Sequence, residues 1–311
     1  MPEKNDLIAV IMGGPSSEAE VSRNTGRAIC KALQSLGYRA ETVEYDPPHV
    51  IEMLRDMGAK VAFIALHGRF GEDGTIQGAL ELAGIPYTGS GVTSSAVTMD
   101  KIMSCHVFRS EGIRMADSRP YKLSQGIEVV AFEIRKHFTC PVVLKPACEG
   151  STIGIEIVKD PAELEAALAR AFSVEPRILA EKYLDGREFT VSVLEGNALP
   201  VIEICPHSGM YDYFSKYTKG ATEYIVPAPI SEESAKEMSD MAVRGYRAAE
   251  CAGVVRFDLR TDAAGVPYLL EANSIPGMTE TSLVPKAAAA AGMDFPRLCE
   301  IILQGAGVGK G

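Results

Sequence analysis

Arg256 and Asp258 stand two residues apart in Val255-Arg256-Phe257-Asp258-Leu259-Arg260, and so do Glu271 and Asn273 in Leu269-Leu270-Glu271-Ala272-Asn273. In a β-strand that spacing puts both members of each pair on one face. A hairpin closed near residues 262–266 sets Asp258 beside Glu271. Two carboxylates opposed on antiparallel strands repel each other unless a cation lies between them. Asp, Glu and an Asn carbonyl are hard oxygen donors of the kind Mg²⁺ takes together with waters and substrate phosphates. The plainer alternative is two solvated carboxylates on a sheet face. Apolar Leu269-Leu270 directly before Glu271 speaks against it.

Three glycine-rich segments carry further chemistry. Val142-Val143-Leu144-Lys145-Pro146 reads as a buried strand delivering a lysine, and Glu149-Gly150-Ser151-Thr152-Ile153-Gly154 as a loop turning into another strand. Backbone N–H groups and a lysine can cradle phosphate. No GK[ST] occurs and no helix follows, so this is not a Walker A loop, and an ordinary hairpin turn is the competing reading. In Gly13-Gly14-Pro15-Ser16-Ser17-Glu18-Ala19-Glu20, Ser17 and Glu20 fit a capping box. Glu18 would repel a phosphate at a helix start but suits an ammonium group, or it serves the helix dipole alone. His67-Gly68-Arg69-Phe70-Gly71-Glu72-Asp73-Gly74 places a histidine where a strand ends and lets backbone approach a ligand. The GxGxxG fingerprint of dinucleotide enzymes is absent.

The elements that must position these residues alternate. Strands at 7–12, 39–44, 61–66 and 85–87 interleave with helices at 18–36, 51–57 and 75–83. That rhythm predicts a parallel sheet with helices on both faces and ligands at the strands' carboxyl ends. From Asp100 onward the pattern shifts. A helix to about Ser110, a Pro-bearing segment and a second helix lead to the Lys145 strand. Short hairpin-like strands follow at 153–158, 178–182, 188–195 and 199–204, then an aperiodic polar stretch, 206–224, of the kind that forms lids. A helix at 231–252, the hairpin and a helix near 294–303 complete the chain, with 305–311 expected to fray. The reading is α/β, becoming α+β in the second half, with modules at 1–98, 99–184 and 185–311.

Composition narrows the classes. With 31 Lys+Arg against 41 Asp+Glu the net charge is −10, which disfavours nucleic acid and anionic membranes as partners. The apolar run Leu7–Met12 is too short for a signal h-region or a membrane span, so a cytoplasmic protein is expected. Seven scattered cysteines without a CxxC read as free thiols.

A lysine, a glycine loop, a magnesium pair and a parallel-sheet module together suggest ATP chemistry. At this point the chain resembles the D-alanine–D-alanine ligases, a family of the ATP-grasp superfamily. The resemblance is carried by Gly13-Gly14…Ser17-Glu18…Glu20-Val21-Ser22, His67-Gly68…Gly71-Glu72-Asp73-Gly74, Met99-Asp100-Lys101, Lys145-Pro146…Gly150-Ser151-Thr152…Gly154, Glu181-Lys182…Gly186-Arg187-Glu188, Lys216-Tyr217, Arg256…Asp258 and Glu271-Ala272-Asn273…Pro276-Gly277-Met278-Thr279…Ser282-Leu283-Val284-Pro285. It implies an ATP-grasp fold and ATP-driven joining of two D-alanines through an acyl phosphate, for peptidoglycan precursor synthesis, by a cytoplasmic homodimer.

The resemblance also implies roles. Lys101 and Lys145 would hold ATP phosphates; Glu181, Lys182 and Leu184 would line the adenine pocket, and Glu188 would take the ribose. Asp258, Glu271 and Asn273 would bind two Mg²⁺, with Mn²⁺ as a substitute. Glu18 would orient the first D-alanine through its ammonium, with His67 beside its carboxyl group. Arg256 and the Gly277 N–H would stabilise the oxyanion. Ser282 and Lys216 would hold the second D-alanine, next to Leu283. Glu18, Ser151 and Tyr217 would form a hydrogen-bonded triad joining lid, loop and first module. Thr152 stands where a serine is usual, Met210 where an aromatic is frequent and Ala19 where a basic residue is common. A D-alanine–D-lactate ligase, or another carboxylate–amine ligase of the superfamily, is the alternative within the class. A regulatory nucleotide-binding protein is the alternative outside it.

Overall fold

The computed structural model describes residues 1–16, 18–150, 152–207, 218, 220–279 and 282–310. Its first sheet is parallel, in the order β2-β1-β3, from β1 (Leu7–Met12), β2 (Arg39–Glu44) and β3 (Val61–Ile64). Every residue of β1 is buried, as a strand covered on both faces requires. On one side Val43, Ile64 and Leu66 meet Val50 and Leu54 of α2 (Val50–Asp56) and Ile76 and Leu80 of α3 (Thr75–Ala83). On the other, Ile8, Val10 and Phe63 share a core with Ile29 and Leu33 of α1 (Ala19–Ser35). The short strand expected at 85–87 reduces to Tyr87, which bridges Ala62 on one side and Gly307 on the other.

After α4 (Val92–Met99) and α5 (Lys101–Ser110), an antiparallel sheet runs β4-β7-β5-β6, from β4 (Ser118–Lys122), β5 (Val142–Pro146), β6 (Glu156–Val158) and β7 (Arg177–Lys182). The Pro-bearing segment is therefore a strand. Pro120 is tolerated because β4 is an edge, where a missing N–H breaks no inner ladder. Helices α6 (Ile127–His137) and α7 (Leu164–Val174) pack on this sheet through Val130, Ile134, Leu168 and Phe172.

The third sheet is antiparallel, β11-β10-β8-β12-β13 with β9 beside β8, from β8 (Glu188–Leu194), β9 (Asn197–Ala198), β10 (Ile202–Pro206), β11 (Thr222–Ile225), β12 (Val254–Thr261) and β13 (Pro267–Asn273). Phe189, Val191, Phe257 and Leu269 pack against Met238, Met241 and Tyr246 of α8 (Glu232–Ala248). The expected strand at 199–204 begins three residues later. The chain ends in α9 (Leu283–Ala290) and α10 (Phe295–Gln304), whose Leu298, Ile302 and Leu303 join the core of the first sheet.

The tail is not frayed. Lys310 Nζ donates to the carbonyls of Tyr87 (2.6 Å) and Gly89 (2.8 Å), and the Gly309 N–H donates to Glu81 Oε2 at 2.8 Å. The capping box expected from Ser17 and Glu20 lies partly outside the described residues, since Ser17 is not among them; Glu18 is the N-cap residue of α1 and makes no side-chain cap bond, and Glu20 pairs with Arg23 at 3.3 Å. None of the described helices is long and apolar enough to cross a membrane.

Candidate active site

The hairpin β12–β13 has the register its sequence implies. Asp258 is the direct partner of Glu271 and Arg256 of Asn273, with a bulge just after Asp258. The two carboxylates have drawn cations. Arg256 grips Asp258 with two bonds of 2.8 and 2.7 Å, and Thr190 Oγ1 adds a third at 2.7 Å. Lys101 Nζ lies 3.3 Å from Glu271 Oε2 and donates to the Glu149 carbonyl at 2.6 Å, tying α5 to the glycine loop. Asp100 caps that helix by accepting from the N–H groups of Ile102 and Met103, which fixes where Lys101 leaves it.

Asn273 Oδ1 accepts the Ile275 N–H at 3.0 Å and keeps a lone pair. Asp258, Glu271 and Asn273 thus offer hard oxygen donors where positive charge already gathers. No cluster of three or more His, Cys, Asp or Glu among the described residues could hold a metal unaided. The set fits Mg²⁺, which completes its shell with water and substrate phosphate.

A cavity of about 500 Å³ opens where the parallel strands end. Glu18, His67, Lys101, Arg256, Glu271, Asn273, Gly277, Ser282 and Leu283 all line it, so residues from four distant segments meet there. Glu18 sits at the start of α1, between two glycines. Its Oε2 would be 3.7 Å from a Cβ on Gly68 and 3.4 Å from one on Gly150. His67 is buried, 3.4 Å from the Thr25 hydroxyl, and burial lowers its pKa further than Glu18 raises it, so the ring is neutral near pH 7. A Cβ on Gly277 would lie 3.0 Å from Ser282 Oγ, close enough that the hydroxyl would have to give way by a few tenths of an ångström. That hydroxyl in turn accepts the Thr279 N–H at 3.0 Å.

Lys145 on β5, Glu181 and Lys182 on β7, Leu184 in the link that follows, Glu188 on β8 and Asp258 on β12 do not line this cavity. Lys145 Nζ is 2.6 Å from Glu181 Oε1, both buried. Burial works to lower the lysine's pKa, but Glu181, helped by Glu271 and Glu188, outweighs it and the net shift is upward. Lys182 is exposed, Leu184 buried, and Glu188 is 3.6 Å from Arg260 Nη1. Ser151, Lys216, Tyr217 and Met210, and with them most of the 206–224 stretch, lie outside the described residues. Cys148 is held by Arg177 Nη2 at 3.0 Å, and burial pushes its thiol up to about 11, so it is no thiolate at neutral pH. Among the described residues the cysteines are all free. The sequence reading gave no role to Glu72, which lines the same cavity; its signal was its place in the glycine-rich segment after His67.

Residues 109–304 match the family model described as D-ala D-ala ligase C-terminus, and residues 50–90 the corresponding N-terminus model. A D-alanine–D-alanine ligase from Syntrophotalea carbinolica is 48% identical over 303 residues, covering 97% of each chain. Among solved structures, the D-alanine–D-alanine ligase from Bacillus anthracis complexed with ATP aligns with a TM-score of 0.84 at 34% identity, covering 96% of this chain and 97% of that one. The VanG D-Ala:D-Ser ligase from Enterococcus faecalis aligns with a TM-score of 0.84 at 28% identity, covering 96% and 99%. The fold is that of the ATP-grasp ligases. Within that class, the chain belongs to the D-alanine–D-alanine ligase family.

Proposed function

We propose that this chain joins two D-alanines to D-alanyl-D-alanine at the expense of ATP, through an acyl phosphate, and so supplies a peptidoglycan precursor. The observation that carries the reading is the cavity itself, lined by the Glu18 carboxylate together with the Arg256 and Lys101 cations. That is the charge pattern of a zwitterionic amino acid.

In this reading Glu18 holds the ammonium of the first D-alanine and leaves its carboxylate facing Arg256. Neutral His67 neighbours that carboxylate and adds no competing charge. Lys101 and Lys145 hold the phosphates of ATP, while Glu181, Lys182, Leu184 and Glu188 seat its base and ribose. Two Mg²⁺ on Asp258, Glu271 and Asn273 supply neutralisation of the phosphoryl charge when bound. The carboxylate of the first D-alanine takes the terminal phosphoryl group of ATP, and ADP forms. The amine of the second D-alanine, held by Ser282, Lys216 and Leu283, then attacks the acyl carbon. Arg256 and the Gly277 N–H face the oxygen on which charge builds. Phosphate leaves as the peptide bond closes. Tyr217 and Ser151 join Glu18 in a triad that shuts the 206–224 stretch over the acyl phosphate and keeps water out.

The modules 1–98, 99–184 and 185–311, a homodimer and a cytoplasmic location belong to the same proposal. Each sheet falls within one module, although α10 packs on the first. The test is ADP release measured with a panel of D-amino acids and D-lactate as acceptors. D-alanine should support the fastest release and yield the dipeptide. Release that is independent of D-alanine, or faster with D-lactate, would overturn the assignment.

A further inference from the structure

Glu72 takes no part in the steps above. Its side chain is only 8% exposed, yet it lines the cavity. Oε2 accepts the Gly68 N–H at 2.6 Å, and Oε1 has no hydrogen-bond partner among the described residues. Gly68 stands between Glu72 and Glu18. It has φ +72°, and a Cβ there would lie 2.7 Å from Ser16 Oγ and 3.7 Å from Glu18 Oε2. Two carboxyl groups therefore flank one glycine, and both face the same space.

The charged groups acting on Glu72 are Glu18 at the start of α1, Arg256 on β12 and Lys101 on α5; the adjoining His67 is neutral. Burial first, then the charge of Glu18, push the Glu72 carboxyl up to about 8, against the downward pull of the Gly68 N–H and the two cations. A buried carboxyl beside another carboxylate keeps its proton until a cation arrives to replace it.

We propose that Glu72 is the second carboxyl of the amino-acid ammonium subsite, protonated in the empty site and ionised when the ammonium settles between it and Glu18. One proton passes from Glu72 to solvent, and the ammonium keeps its own three. This rests on the reading of Glu18 as the partner of the first D-alanine. It gives the site a means of demanding an amino acid rather than a hydroxy acid at the position whose nitrogen does not react. A hydroxyl brings no charge to repay the ionisation of Glu72.

Calorimetric titration of D-alanine and of D-lactate into the full chain, loaded with Mg²⁺ and a non-hydrolysable ATP analogue, tests the idea. Near pH 7, in buffers of differing ionisation enthalpy, D-alanine binding to the unaltered protein should release most of one proton, and D-lactate none. Glu72→Gln retains the acceptor for the Gly68 N–H but cannot ionise. It should abolish the release and weaken D-alanine by about tenfold or more while sparing D-lactate and the nucleotide. Glu18→Gln serves as the reference. If Glu18→Gln weakens D-alanine and Glu72→Gln does not, the role of Glu72 falls and that of Glu18 stands. If neither does, the ammonium subsite itself is misplaced. Equal losses of D-alanine, D-lactate and nucleotide in Glu72→Gln would make Glu72 a loop brace and overturn the proposal. Proton release in the unaltered protein decides the matter even if the variant folds poorly, since its absence is an equally negative result.

Discussion

Lys145 and Glu181 form an ion pair whose removal should separate folding from nucleotide binding. Their charged atoms are 2.6 Å apart on adjacent strands, and the side chains are only 10% and 4% exposed. Deleting one partner strands the other charge in a dry interior, which costs about 3–5 kcal/mol. Replacing both with apolar residues of similar volume costs little, because the desolvation penalty disappears along with the attraction. Lys145→Met alone should therefore destabilise strongly, and Lys145→Met with Glu181→Leu much less. With a urea slope of about 3 kcal/mol per M, the single variant should lose about 1–1.7 M in its unfolding midpoint. The double variant should stay within about 0.5 M of the unaltered protein. Both should lose ATP affinity, because neither carries the phosphate contact. Urea titration followed by circular dichroism, paired with binding of a fluorescent ATP analogue, reads both quantities. A double variant no more stable than the single one would show that Lys145 acts through something other than Glu181. Unchanged nucleotide binding in Lys145→Met would remove it from the phosphate site.

Glu18→Gln should weaken D-alanine roughly ten- to a hundredfold with little effect on ATP, as loss of a charge-assisted hydrogen bond predicts; equal losses would leave Glu18 only a helix-start role. Glu271→Gln should abolish turnover at saturating Mg²⁺ without lowering the melting temperature, and retention of more than about a tenth of the activity contradicts Glu271 as a metal ligand. Tyr217→Phe should reduce dipeptide synthesis by a factor matching about 0.5–1.5 kcal/mol and shift product toward the D-lactate ester; an unchanged product ratio across pH would limit Tyr217 to closing the site. In the ligand-free protein Glu72 holds its proton up to about pH 8, whereas the unfolded chain gives it up in the ordinary carboxylate range. The native state binds the extra proton across that interval, so stability falls as pH rises, by at most about 1.4 kcal/mol per unit. Melting curves should show this decline between about pH 6 and 8, and Glu72→Gln should flatten it.

Much of the site could be read from the chain because β-structure alternates. Two residues of separation put Asp258 with Arg256 and Glu271 with Asn273, and one turn then set the cross-strand partners. What alternation does not reveal is which neighbour satisfies a charge. Arg256 turns to Asp258 on its own strand rather than to its cross-strand partner Asn273, and Glu181 reaches Lys145 from a strand well apart in sequence. Some helices escape the reading for local reasons. The segment 92–99 is rich in Ser, Thr and Val, which favour helix weakly, and 283–290 is alanine-rich with no polar face to mark a period. Over 164–174 the signal is present, with Asp160 capping a turn that begins at Pro161, but it lies between two strand readings. The tail reads as loose because glycine and small residues fill it. Lys310 and Glu81, more than two hundred positions apart, supply the order.

The placement of α10 has a consequence for how the chain acquires its structure as it is made. Ile8, Val10 and Phe63 emerge early, yet one face of their sheet is sealed by Leu298, Ile302 and Leu303 and by Met278 and Val284, all encoded near the end. Until those residues arrive, a nascent chain carries an apolar core that lacks its last-made cover. Such surface attracts chaperones and self-association. Synthesis that stalls after β13 should leave an aggregation-prone fragment, even though its three sheets are already encoded in full. The last helix thus acts as a closing seam on the first element to be made.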